Sequence, residues 1–215
     1  MHGEVRVVAD VAASFAELVI ERAPSSVALS GGETARRAYV RLCAQRPDWS
    51  RTDIWFGDER WVDVSDADSN EGLARTALLD RVDTGLIHSM RGAGAGPEEA
   101  AIAYGRALRA APPLDLVHLG LGPDGHTASL FPGSPALDEP HHWVVATGDG
   151  AHPHARVTLT LPAFAATRLV VFTVSGADRQ PAFARVQQGD DVPAARVRAG
   201  EVLWLVDHDA AGGAV

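Results

Sequence analysis

The 215-residue sequence contains a single cysteine, Cys43, and no lysine; all 19 of its Lys+Arg positions are arginine. One thiol cannot form an internal disulfide, which favours a reducing compartment. No apolar run approaches the roughly 18 residues that read as a membrane span. The opening stretch, Met1 to Arg6, lacks the basic start, apolar core and cleavage site of a signal peptide. These absences predict a cytoplasmic protein with no membrane partner. Positive charge is scarce too: 19 basic residues face 28 acidic ones, for a net charge of -9. That balance argues against nucleic acid as a partner, whose backbone wants Lys and Arg. It also repels anions in general. A phosphate site in this chain must therefore be local, built from helix N-termini and a few arginines.

What is present is an ordinary globular composition, 46% apolar and 22% charged, in a chain long enough to bury a sizeable core. Strand-like and helix-like segments alternate. Strands are predicted at Glu4–Ala9, Ser26–Leu29, Asp53–Phe56, Leu114–Leu119, Trp143–Ala146, Val157–Leu161, Leu169–Val174 and Val202–Val206. A helix capped by Asp10 carries Val11, Phe15, Leu18 and Val19 on one face. Further helices are expected at Thr34–Ala44, Asn70–Leu79, Pro97–Ala110 and Ala177–Gln187, with Pro97 suited to a first turn. Gly57–Ser69 reads as a polar loop, Gly92–Gly96 as a flexible one, and Ala210–Val215 as a fraying end. Such alternation predicts one α/β domain over residues 1–215: a Rossmann-like, mostly parallel sheet with helices on both faces.

Ligands of such sheets bind beyond the carboxyl ends of the strands, and three loops there carry candidate chemistry. Leu29-Ser30-Gly31-Gly32-Glu33-Thr34 joins a strand to a helix. Its glycines allow a close backbone approach, the helix N–H groups face an anion, and Ser30 and Thr34 add hydroxyls. The plain alternative is a tight turn with a Thr cap. Gly57-Asp58-Glu59-Arg60-Trp61-Val62 sets two carboxylates and an arginine after a strand; the alternative is a solvated, salt-bridged turn. Gly120-Leu121-Gly122-Pro123-Asp124-Gly125-His126-Thr127 formally contains G-x-G-x-x-G. It lies mid-chain, however. Pro132 and Pro135 forbid a long helix after it, and no acidic residue follows at the ribose-binding distance, so a dinucleotide site is not expected. It presents His126, a side-chain type that titrates near neutral pH and suits general-base work, with Asp124 near enough to fix its tautomer. The alternative is a structural histidine. His141, His142, His152 and His154 match no standard zinc spacing. No G-x-S-x-G elbow is present, and Cys43 falls within a helix as a core residue.

Together these loops resemble the 6-phosphogluconolactonase family. The residues are Leu29–Thr34, Phe56–Val62 with Asp68-Ser69-Asn70, and Leu119–Gly133 (LGLGPDGHTASLFPG). Arg156–Pro162 and Val174–Arg179 continue the match, which runs from near Val5 to Asp207. The Gly-rich loop with Asp-Gly-His-Thr-Ala-Ser is the most specific part. The resemblance implies a fold like that of the glucosamine-6-phosphate deaminase and ribose-5-phosphate isomerase group. It implies hydrolysis of 6-phospho-D-glucono-1,5-lactone without cofactor or metal, by a monomer or homodimer acting on a small sugar-phosphate lactone. On this reading His126 is the general base and Asp124 its orienter. Ser30, Gly31, Gly32, Thr34, Asp58, Arg60, Gly125, Arg156 and Arg179 bind substrate and its phosphate, with one of Arg60 and Arg156 at the phosphate and the other at the carbonyl end.

Three departures stand out. Glu33 and Ala35 replace the polar residue and proline common in the first loop. Arg179 stands where a lysine is usual. His152-Pro153-His154 replaces a Lys-Pro-Pro segment. The deaminase relatives carry a glutamate five residues after the histidine, and here that position is Phe131. A non-enzymatic sugar-phosphate sensor on this fold often carries a DNA-binding segment, which this acidic sequence does not display.

Overall fold

A computed structural model describes residues 2–92, 94–148 and 153–213. The expectations for Ala93, His152, Ala214 and Val215 lie outside them. Six strands form one parallel sheet: β1 (Glu4–Val8), β2 (Ser26–Leu29), β3 (Asp53–Phe56), β5 (Leu116–Gly120), β8 (Leu169–Val174) and β9 (Glu201–Asp207). Their order is β1-β9-β8-β5-β2-β3. The order reverses between β2 and β5, which opens a crevice at their carboxyl ends.

Helices α1 (Val11–Arg22), α2 (Glu33–Ala44), α3 (Asn70–Ala77), α4 (Pro97–Ala110), α5 (Leu161–Ala165), α6 (Gln180–Gln188) and α7 (Pro193–Arg196) complete the α/β pattern. Asp10 caps α1 by accepting the Ala12 and Ala13 amides. On one sheet face Phe15 of α1 stacks on His118 of β5. On the other, Trp204 of β9 lies flat on Phe172 of β8, and Phe183 of α6 packs against it. Strand neighbours alternate faces, so helices cover both.

The parallel sheet does not take up every strand. β4 (Asp58–Arg60), β6 (Val144–Thr147) and β7 (Arg156–Leu159) form a separate antiparallel sheet in the order β4-β7-β6. Three residues expected in a polar loop, Asp58, Glu59 and Arg60, are thus a strand paired with Thr158, Val157 and Arg156. Their charge hides them from a hydrophobic pattern, and partners about a hundred residues away create the strand. Gly57 joins the two sheets: its amide donates to Leu29 O and its carbonyl accepts from Leu159 N, each at 2.8 Å. The small sheet therefore stands at the carboxyl end of β3 and walls the crevice.

Smaller boundaries also shift. Leu161 leaves the strand expected there and opens α5 instead. The segment Ala177–Arg179 is a tight 3-10 turn before α6. Leu78 breaks the third helix with φ -144°, and a 3-10 turn follows. Cys43 is half-buried and packs against the core. Among the described residues, no helix is long and apolar enough to cross a membrane.

Candidate active site

The crevice between β2 and β5 holds a cavity of about 250 Å³. All three loops reach it. Ser30, Gly31, Gly32 and Thr34 line it from the end of β2, Asp58, Arg60 and Arg156 from the small sheet, His126 from the loop after β5, and Arg179 from the turn after β8.

One side of the cavity is built by the first loop. Gly32, at φ +91°, is the N-cap of α2, and no side chain caps that helix. The first amides of α2 therefore lack intrahelical acceptors and stand at the positive end of its dipole. Glu33 does not oppose this. Its carboxylate is drawn outward onto Arg36, at 2.8 Å from Nε and 2.7 Å from Nη2. Gly31 must be glycine, because a Cβ there would lie 1.8 Å from Asn70 Oδ1. Asn70 in turn accepts from Arg60 Nη1 at 3.0 Å and donates to Asp58 O at 2.9 Å. Arg60 thus lies beside the Gly31–Gly32 loop, and its Nε is buried with no partner among the described residues. Arg179 pairs with the neighbouring Asp178 and is partly exposed.

Glu59 turns away from the cavity. It caps the N-terminus of α3, accepting the Asn70 and Glu71 amides at 2.7 Å and the Ser69 hydroxyl at 3.0 Å. It also accepts the Arg60 amide at 2.7 Å. Burial pushes its carboxyl above the ordinary range against these bonds. Its role is to hold Asn70 and Arg60 in place. Glu59→Ala leaves several buried donors unmet and should cost roughly 2–4 kcal/mol, read by denaturant unfolding. A loss below about 0.5 kcal/mol, the scale of an ordinary surface change, would show that water replaces the carboxylate.

The opposite side carries the histidine. Asp124 Oδ1 accepts from the His126 amide at 3.0 Å and lies 2.6 Å from His126 Nδ1. Burial of Asp124 opposes its charge, but the hydrogen bonds from His126 outweigh it and hold the carboxyl below its usual range. An ionised Asp124 accepts a hydrogen bond from Nδ1–H and fixes the ring proton there, which leaves the Nε2 lone pair as the base. The Gly122–His126 turn is closed by Gly125 N to Gly122 O at 3.0 Å and Gly122 N to His126 O at 2.9 Å. Phe131 touches two groups of the site: its ring centroid is 4.6 Å from that of His126, and the Arg156 guanidinium carbon is 5.3 Å from it. Arg156 and His126 are therefore neighbours across one phenyl ring. Arg156 Nη1 also lies 4.0 Å from Asp58 Oδ2, an oxygen that accepts from Ser129 Oγ at 2.6 Å.

Asp124 and Gly125 lie behind the cavity wall, Asp124 in the orienting position expected of it. Asp124 stands behind the imidazole. Gly125 turns the chain at φ +90° against Val192, and its carbonyl accepts from Ala194 N. Neither lines the cavity. Of the histidines weighed as metal ligands, His142 pairs with Glu139 and His154 with Asp68, each at 3.0 Å. Sequence reasoning missed Gly122, Asn70, His118 and Thr173 as site-building residues. For His118 a signal existed: a polar residue inside the apolar run Leu116-Val117-His118-Leu119.

Fold and cavity define a class: a Rossmann-like α/β protein whose switch-point cavity is lined by a glycine-rich loop at an uncapped helix start and by a histidine paired with an aspartate. Comparison with known proteins narrows it. Residues 4–204 match the family described as glucosamine-6-phosphate isomerases/6-phosphogluconolactonase. The chain belongs to that family. A 6-phosphogluconolactonase of Synechocystis sp. is 38% identical over 215 residues, covering 93% of this chain and 89% of the relative. The crystal structure of a 6-phosphogluconolactonase from Thermotoga maritima superposes with a TM-score of 0.84 at 27% identity, over 94% of this chain and 98% of that one. A monomeric glucosamine-6-phosphate deaminase shares the fold, with a TM-score of 0.83 at 17% identity, over 99% of each chain.

Proposed function

We propose that this chain hydrolyses 6-phospho-D-glucono-1,5-lactone to 6-phosphogluconate, the second step of the oxidative pentose phosphate pathway, in the cytoplasm. The observation that carries the reading is the polar lining of the cavity: the uncapped start of α2, Arg179, His126 backed by Asp124, and Arg60 and Arg156 side by side as cross-strand partners.

The chemistry follows from that lining. The phosphate rests on the α2 amides, Ser30, Thr34, Arg60 and Arg179, which places the ring carbonyl at the far end. His126 Nε2 takes a proton from water as its oxygen attacks C1. Negative charge grows on the carbonyl oxygen and is met by Arg156. When the intermediate collapses, the bond from C1 to the ring oxygen breaks. The imidazolium returns its proton to that oxygen, giving the free hydroxyl and a carboxylic acid that ionises. The Nδ1 proton stays on His126 throughout, donated in a hydrogen bond to the Asp124 carboxylate, which stabilises the transient cation. Phe131 occupies the place where the deaminase relatives carry their glutamate, which disfavours that alternative chemistry.

Purified protein added to freshly generated lactone should accelerate acid release in proportion to its concentration. Release at the spontaneous rate would sink the reading. Arg179→Ala should lower kcat/KM on the phosphorylated lactone by about tenfold or more, the scale of one charge-assisted hydrogen bond. On unphosphorylated gluconolactone the loss should be much smaller. Equal losses on both substrates would remove Arg179 from the phosphate site.

A further inference from the structure

Beneath the cavity runs a buried polar column that takes no part in the scheme above. His118, fully buried on β5, stacks on Phe15 with ring centroids 4.0 Å apart. Its Nδ1 lies 2.9 Å from Tyr39 Oη and its Nε2 2.8 Å from Thr173 Oγ1. Tyr39 Oη accepts the Ser30 amide at 2.7 Å and lies 3.1 Å from Ser30 O. Above His118 on the same strand face comes Gly120, paired in register with Thr173. A Cβ on Gly120 would meet nothing within 4 Å. The missing side chain leaves the column open to the cavity, which His118 and Thr173 floor.

Burial lowers the His118 imidazole to about 3, so it is neutral and carries one ring proton. The two positions for that proton polarise Thr173 oppositely. With the proton on Nε2, the ring donates to Thr173 Oγ1, and the Tyr39 hydroxyl donates to Nδ1. The hydrogen of Thr173 is then left for the cavity. With the proton on Nδ1, the ring donates to Tyr39 Oη, whose own hydrogen turns to Ser30 O. Thr173 then donates to Nε2, and the cavity meets only a lone pair. A phosphate oxygen needs a donor, and a lone pair facing it is repulsive.

We propose that His118 is a positioning residue whose Nε2–H tautomer is selected when a phosphorylated ligand binds, so that the Thr173 hydroxyl donates to a phosphate oxygen. The inference rests on the sugar-phosphate reading of the cavity. It makes one directed chain, from the Ser30 N–H through the Tyr39 O–H and the His118 ring to the Thr173 O–H and the ligand. Bonds aligned in this way polarise one another. Both ends of the chain meet the same anion site, because Ser30 also belongs to the phosphate loop.

Nitrogen-15 spectra of the histidine rings read the tautomer directly. With saturating 6-phosphogluconate, and with inorganic phosphate alone, the His118 ring should show its proton on Nε2. A ring protonated on Nδ1 in either complex overturns the inference. Thr173→Val should weaken 6-phosphogluconate binding and raise KM for the phosphorylated lactone by about 10- to 100-fold, with kcat changed less. Thr173→Ser should restore both. Equal losses on phosphorylated and unphosphorylated lactone, or no rescue by serine, also overturn it. The outcomes separate this inference from the function it rests on. A wild-type protein that fails to hydrolyse the lactone, yet shows the Nε2–H ring with phosphate, overturns the activity and keeps the relay. Hydrolysis with an Nδ1–H ring in the complex overturns the relay alone. A protein that binds neither ligand overturns both.

Discussion

His126→Asn should leave a folded protein that still binds 6-phosphogluconate and turns over the lactone about 10²–10⁴ times more slowly, the usual cost of removing a positioned base. Asparagine keeps an N–H near the position of Nδ1, so the bond to Asp124 at 2.6 Å has a substitute. What disappears is the acceptor at Nε2. The loss should therefore fall on kcat, with product affinity little changed. Asp124 stays charged to lower pH than an ordinary aspartate, because the hydrogen bonds from His126 outweigh its burial. Near-normal kcat in a folded variant would make His126 structural. Few substitutes remain for the base. Glu59 is occupied at the start of α3, and Asp58 accepts from Ser129 and Asn70.

Gly122→Ala should cost nearly as much without removing any reacting group. Gly122 is absent from the positive-φ positions, so alanine fits its backbone. Its Cβ, however, would lie 2.1 Å from His126 Nδ1 and 2.2 Å from Cε1, closer than atoms can approach. The imidazole must leave its place, and with it the bond to Asp124. Misplacement by about 1 Å can cost about 10²-fold in rate, and a loss of at least that size is expected. The melting temperature should move by only a few degrees. Steady-state kinetics with circular dichroism checks both halves. A Gly122→Ala protein with wild-type kcat would mean that the imidazole works from a different position than the one described.

These predictions divide along the line between what a sequence displays and what only packing creates. Ser26–Leu29, Asp53–Phe56 and Leu169–Val174 are short apolar runs bounded by polar or turn residues, and their limits match the strands. Pro97 marks the start of α4 for a local reason, its fixed φ. The strand Asp58–Arg60 has no such local cause, and pairing with β7 creates it. The same division runs through the site. Ser30–Thr34 and His126 stand out because glycines flank them in loops. Gly125 stands out through its place in the motif, and the structure adds that it turns the chain at φ +90°. Thr173 looks like one more β-branched strand residue. Only the register that sets it beside Gly120 brings it to the cavity floor. Gly122 could be read as a loop glycine, but the need for it comes from the imidazole folded over it.

The most direct measurement is a crystal structure of the protein with 6-phosphogluconate. The phosphate should lie on the α2 amides with Arg60 and Arg179. The C1 carboxylate should lie within hydrogen-bonding reach of His126 Nε2, at about 2.6–3.2 Å, with Arg156 at its other oxygen. A ligand bound the other way round, with its phosphate at His126 and its carboxylate on the Gly31–Gly32 loop, would contradict both the base and the phosphate site.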